Sequence, residues 1–185
     1  MLYTGKGDGG TSKLFNTPQG ERISKDDTVF EVLGTLDRLN SLLGLCRAKT
    51  DGTMRIGKST ESVKEIMLGL QQDVFIIQAE IAGAEKHISE EKIIHLEKLT
   101  NNTEKELPPI TTFFVPGETE LGALYDIART AARDTERVVV KFRNEGTDVS
   151  IHTLSYLNRL SSVLYAFARL SNHFSGINEI PPTYE

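Results

Sequence analysis

Residues 121–142 read LGALYDIARTAARDTERVVVKF, and the pattern of this stretch decides the fold. Wound as an α-helix at about 100° per residue, it places Arg129, Arg133, Glu136 and Arg137 within one arc of about 100°, with Asp126 inside that arc. Leu121, Leu124, Ile127, Ala128, Ala131, Val138, Val139 and Phe142 take the opposite side. The stretch is therefore a two-faced helix with one side as core. Its other side gathers guanidiniums and carboxylates closely enough for some to pair with one another. A solvated charged face is one reading. A buried ion-pair network or a polyphosphate site is the other, and the use of arginine without lysine in the arc adds weight to it, because a planar fork suits carboxylates and phosphates.

The flanking chain repeats the helical period. Residues 28–48 put Val29, Val32, Leu33, Leu36, Leu39, Leu43 and Cys46 on one side, and Gly34, Asp37, Ser41, Gly44 and Ala48 on a second stripe of small residues. That stripe is either exposed surface or a groove for another helix. In the groove reading Asp37 needs a cationic partner, since a buried unpaired carboxylate is costly. Residues 61–84 carry a long apolar stripe from Val63 to Ile81, with Gln71, Gln72 and Asp73 expected on the solvated side. A shorter helix runs over 89–103, with Ser89 as N-cap and Glu90 and Glu91 in its first turn. A last helix over 149–173 has Ile151, Leu154, Leu157, Leu160, Leu164, Phe167 and Ala168 as core, and Asn158, Ser162, Tyr165 and Arg169 on another face. Five helical stretches and no persuasive strand predict an all-α five-helix bundle of the up-down, ferritin-like kind.

Two segments between or before helices carry chemistry. At the N-terminus, MLYTGKGDGGTSKLF interleaves Gly5, Gly7, Gly9 and Gly10 with Lys6, Asp8, Thr11, Ser12 and Lys13. Successive glycines let backbone N–H groups converge into an anion-binding concavity, although a frayed terminus has the same look. The spacing Gly5-x-Gly7-x-x-Gly10 lacks the preceding strand and following helix of a dinucleotide fingerprint, and no Walker A sequence is present. The connector ELPPITTFFVPGETE cannot continue a helix through its prolines, and it delivers Phe113 and Phe114 just before the arginine helix. Adjacent residues of an extended segment point to opposite sides, so one ring can face core and the other a pocket; both as core is the plainer reading.

Totals exclude other classes. At 185 residues with 38% apolar content, one domain with one sizeable core is expected. A net charge of −5 and a pI near 5.5 offer no basic field for nucleic acid. One cysteine, Cys46, forms no intrachain disulfide and reads as core. No apolar run is long enough to span a membrane and no signal peptide is evident, so a soluble, cytoplasmic protein is expected. None of His87, His95, His152 or His173 has a glutamate three residues before it, which removes the di-metal carboxylate reading of a bundle. No nucleophile-base pair stands out.

Four blocks, in this order and spacing, resemble the PduO-type ATP:cob(I)alamin adenosyltransferase family: YTGKGDGGTSKLF, GTLDRLNSLLGL, FFVPG leading into ARTAARDTERVVV, and YLNRLSSVLYAFAR. The likeness covers nearly the whole chain. It implies a single domain over residues 1–185, with an ATP-binding segment over 1–27, the bundle over 28–175 and a tail over 176–185. It also implies a homotrimer with active sites between subunits, and transfer of the 5′-deoxyadenosyl group of ATP to cob(I)alamin. By matching positions, Thr4, Gly5, Lys6, Gly7, Asp8, Gly10, Thr11, Ser12, Lys13 and Lys25 would hold ATP phosphates. Arg133, Glu136, Arg137 and Asn158 would line the nucleotide. Mg²⁺ would ride mainly on the phosphates, with Glu136 as its candidate protein ligand. Asp37 would pair across the interface with Arg129, and Phe113 would occupy the lower axial face of cobalamin. A flavin reductase and an adenosylcobalamin-dependent enzyme are the implied protein partners. Three positions depart from the family pattern: Arg38, Glu118 and Asp134. They motivate the alternative of a non-catalytic ATP or corrinoid carrier or sensor, and a charge swap between Arg38 and Asp134 is one account of two of them. A purely structural helical trimer is the remaining alternative.

Overall fold

A computed structural model describes residues 2–184, so Met1 and Glu185, the outer ends of the two terminal segments, lie outside the described residues. The five expected helices are α1 Thr28–Lys49, α2 Val63–Ile81, α3 Glu90–Glu104, α4 Glu120–Asn144 and α5 Ile151–Phe174. Before them, β1 Thr11–Ser12 and β2 Ile23–Ser24 pair antiparallel, Thr11 opposite Ser24. This small ribbon was not foreseen, because two-residue strands carry no readable alternation.

Helix α1 packs between α2 and α4, and α5 between α4 and α3. The Thr135 hydroxyl donates to the Thr35 carbonyl at 3.3 Å, and Lys49 meets Glu120 at 2.7 Å at the other end, so α1 and α4 run antiparallel. The core is one cluster from all five helices, with Leu36, Leu43, Val74, Leu96, Tyr125 and Phe167 fully buried.

Several boundaries and faces differ from expectation. Helix α2 starts at Val63 because Ser62 and Glu65 form a reciprocal capping box, and the chain leaves it through Gly83 at φ +84°. Ser89 holds the N-cap position of α3, but its side chain makes no cap hydrogen bond. In α5, Glu80 accepts from the Ser150 N–H at 2.7 Å and holds the start of the helix. Ile127, expected in the core, is 50% exposed, since it sits at the edge of the apolar arc of α4. Asp73, expected at the surface, is buried against Lys92 and Tyr156.

Cys46 is buried, and that burial pushes its thiol up to about 12. The thiolate is the reactive form, so the native chain should not react with Ellman's reagent at pH 8 and should take up one equivalent on adding denaturant. Reaction in native buffer would place Cys46 at an accessible position.

Candidate functional site

The glycine-rich segment is held by its own backbone and by Lys25. Gly5 and Gly10 lie at φ +68° and +74°, a region in which L side chains are strained, which is why glycine stands there. The Asp8 N–H donates to the Gly5 carbonyl at 3.2 Å, Gly10 N–H to Gly7 at 3.1 Å, and Lys25 N–H to Gly10 at 2.8 Å. Lys25 also donates from Nζ to the Gly7 carbonyl at 3.0 Å, which leaves two of its three ammonium hydrogens for an anion. A Cβ on Gly7 would lie 3.1 Å from that nitrogen, so a side chain there would press on the tip of the lysine. Thr4 accepts from the Lys6 N–H at 3.4 Å, Ser12 pairs with Ile23, and Lys6 and Lys13 are exposed.

Arg22 belongs to this segment and sequence reasoning missed it. It donates from Nε to the Thr11 hydroxyl at 2.7 Å and from Nη2 to the Thr11 carbonyl at 2.8 Å. The β1–β2 pairing that brings the two together was invisible in the pattern.

On α4 the expected arc exists, and its charges have taken partners from inside and outside it. Arg129 donates to Asp126 at 2.8 Å, and Arg137 pairs with Asp134, each at the i, i+3 spacing of neighbours on a helix. Glu136 accepts from the Asn158 amide at 3.0 Å, whose oxygen in turn accepts from Arg159 at 2.8 Å. Arg133 is exposed and, among the described residues, has no carboxylate within 4.0 Å. A free guanidinium thus stands beside an amide-carboxylate pair, at the rim of a cavity of about 310 Å³ bounded by Arg129, Ser162, Tyr165 and Glu104. Arg129 also lies 5.8 Å from the Tyr165 ring centroid. Partial burial raises the Tyr165 phenol above its ordinary value, with the Arg169 charge acting the other way, so Tyr165 stays a neutral donor.

A second cavity of about 550 Å³ shares Arg129, Tyr165 and Arg169 with the first and is walled by the connector from Ile110 to Pro116. The two phenylalanines part as an extended segment allows. Phe114 is half-buried against Arg169, and Phe113 is 77% exposed. An exposed ring beside an apolar hollow has surface to lose to a ligand.

Some expected pairings are not made within one chain. Among the described residues Asp37 is exposed and unpaired, Arg129 is engaged by Asp126 on its own helix, and Gly34, Ser41 and Ala48 of the same stripe are exposed. Arg38 and Asp134 border one groove between α1 and α4, but Asp134 pairs with Arg137 instead of Arg38, which overturns a direct salt bridge as the account of that swap. Glu118 is half-buried in the last turn of the connector. No hydrogen bond or ion pair joins residues 4–13 to α4 among the described residues. No group of three or more His, Cys, Asp or Glu able to hold a metal occurs among them either.

A family model for cobalamin adenosyltransferases matches residues 2–171. Corrinoid adenosyltransferase PduO of Citrobacter freundii is 34% identical over 188 residues, covering 97% of this chain and 52% of that protein. The corrinoid adenosyltransferase of Bacillus subtilis is 33% identical over 183 residues, covering 97% of this chain and 90% of that one. The chain thus spans about half the length of the PduO relative, which is 52% covered, and most of the Bacillus protein. Among solved structures, a phenylalanine-to-histidine variant of a PduO-type ATP:corrinoid adenosyltransferase from Lactobacillus reuteri, complexed with cobalamin and ATP, superposes with a TM-score of 0.89. It is 23% identical, and the match covers 100% of this chain and 97% of that one, so the bundle is the same fold. With the family match running from the glycine segment into the fifth helix, the chain belongs to the cobalamin adenosyltransferase family.

Proposed function

We propose that this chain transfers the 5′-deoxyadenosyl group of ATP to the cobalt of cob(I)alamin and releases triphosphate. The observation that carries the reading is Arg133 on α4, unpaired among the described residues, at the rim of a cavity that shares Arg129, Tyr165 and Arg169 with the one walled by the aromatic connector. The corrinoid adenosyltransferases named above, including the Lactobacillus reuteri protein complexed with cobalamin and ATP, support it.

In the reaction the Co(I) electron pair forms a bond to C5′ as the bond from C5′ to the triphosphate oxygen breaks, and the leaving oxygen takes that bond's electrons. No protein nucleophile is required. The protein's task is to hold the leaving group and stabilise its growing charge. Arg133, Lys25 and the N–H groups of the glycine segment suit that role by charge and donor geometry. Glu136, a single carboxylate tied to Asn158, fits a Mg²⁺ that keeps its water and is carried in on the phosphates, since that ion rarely asks for an all-protein cage. Phe113 fits the lower face of cobalamin, because an apolar ring can displace the axial base without donating to cobalt. Loss of that donor lowers the orbital that accepts the electron and eases reduction to Co(I).

The reading also calls for more than one copy. The glycine segment leads into the N-terminus of α1, while Phe113 precedes the N-terminus of the antiparallel α4, whose 25 residues span about 37 Å. One chain therefore carries its phosphate loop and its aromatic connector towards opposite ends of the bundle. A homotrimer with sites between subunits would unite them, and would give the exposed Asp37 a partner in the neighbour's Arg129. The setting that fits is the cytoplasm, with a flavin reductase supplying the electron and an adenosylcobalamin-dependent enzyme taking the product. Among the described residues, no helix is long and apolar enough to cross a membrane.

One observation favours a second reading: Arg137 is neutralised by Asp134, which removes a free charge from the residues expected to line the nucleotide. On that reading the chain binds ATP or corrinoid as a carrier or sensor. An anaerobic absorbance assay with chemically reduced cobalamin and Mg-ATP separates them. Loss of the Co(I) band with appearance of a light-sensitive alkylcobalamin is the expected outcome; binding of both ligands without that change would overturn the transferase.

A further inference from the structure

The C-terminal tail is tied to the connector that bears Phe113 once directly and once through Arg169. Arg169 on α5, only 4% exposed, donates from Nε to Glu179 at 2.8 Å and from Nη2 to the Pro108 carbonyl at 3.1 Å. Its guanidinium also lies over the Phe114 ring, 5.1 Å from the centroid. Farther along, the Val115 N–H donates to the Ile180 carbonyl at 2.8 Å. Glu179 reaches α5 a second time, accepting from the Asn172 amide at 3.4 Å.

A buried guanidinium is costly unless its charge and donors are met. For Arg169 the carboxylate within 4.0 Å comes from the tail, and the aromatic face comes from the connector. Arg169 is thus a joint through which the tail acts on Phe114, and Phe114 is covalently next to Phe113. The cavity of about 550 Å³ is lined by Phe113, Phe114, Arg169 and Glu179 together, so a shift of the tail changes its wall.

We propose that the tail is a latch: Glu179 and Ile180, anchored on Arg169, set the position of the connector and hence how Phe113 meets the corrinoid. The proposal rests on the reading that Phe113 faces the corrinoid. Arg169 and Glu179 are positioning residues, because they act through Phe114 and not on reacting atoms. Corrinoid recognition should then depend on the tail, while nucleotide recognition, carried by the glycine segment and Arg133, should not.

The test is Glu179→Gln in the full chain. The KM for cob(I)alamin should rise about tenfold with the KM for ATP little changed, a modest share of what misplacing a reacting group can cost. Glu179→Asp, which keeps the charge, should recover most of the loss. Equal rises in both KM values would mark a general structural defect and overturn the latch, as would no rise. A readout without ligand is available because the chain has no tryptophan. In a Val115→Trp background, Glu179→Gln should shift the indole emission to the red and lower its anisotropy, and an unmoved indole overturns the latch. In a chain that does not turn over cobalamin, the functional reading fails and the indole alone decides the latch.

Discussion

Replacing Arg133 by alanine should lower kcat/KM for Mg-ATP by about 10²- to 10³-fold, the loss typical of deleting one preorganised donor to developing negative charge. The change should leave the fold untouched. Arg133 is exposed and holds no carboxylate among the described residues, and surface substitutions away from special features stay within about 0.5 kcal/mol. Arg133→Lys should recover only part of the rate, because a point charge replaces a fork that can grip two oxygens. Arg137→Ala is the informative control. Its guanidinium already answers Asp134, so its removal should cost less than that of Arg133, and Asp134→Asn should raise phosphate affinity by freeing it. Steady-state kinetics beside thermal melts decide the matter. An Arg133→Ala chain with unchanged kcat/KM would remove this arginine from the reaction and leave the glycine segment as the main phosphate holder.

That contrast between Arg133 and Arg137 marks how far the sequence could be read. The 3.6-residue period placed all five helices and the charged arc of α4, since an angle on a helix depends only on local geometry. The same angles could not choose partners for the arc. Asp126 and Asp134 each took the arginine three residues on, and Arg133 remained single, a result that depends on side-chain reach. Lys25 and Asn158 were found through the family resemblance, and the structure supplies their contacts to Gly7 and Glu136. Arg22 was out of reach because its side chain meets Thr11 only through a ribbon of two-residue strands. The role of the tail was hidden for a similar reason: Glu179 and Arg169 are brought together by the chain's path after α5, which no periodicity describes.

Asp73 shows the same limit at a buried site, and its removal should have the largest effect on stability. A carboxylate beside two glutamines on a helix reads as solvated surface. In the fold it is 7% exposed, bonded to Lys92 of α3 and accepting from the Tyr156 hydroxyl of α5 at 3.0 Å. Burial, then the charge of Asp73 itself, pushes the Tyr156 phenol well above its ordinary value, so it remains a donor. Asp73→Ala strands that hydroxyl, which is fully buried, and removes the link from α2 to α3. Breaking a buried pair costs about 3–5 kcal/mol, but Lys92 is 37% exposed and can turn to water, so a loss of roughly 2–4 kcal/mol is expected. Set against typical domain stabilities of about 5–15 kcal/mol, that is a large fraction. Urea denaturation should show a lower midpoint at unchanged slope. Asp73→Asn, which still accepts from Tyr156, should lose less, and Tyr156→Phe combined with Asp73→Ala should lose less than the sum of the two alone, because each removes the other's partner. Strict additivity would mean that the hydroxyl finds another acceptor. The network would then be holding α3 through Lys92 alone, and raised salt, which screens that half-exposed ion pair, should remove most of its contribution.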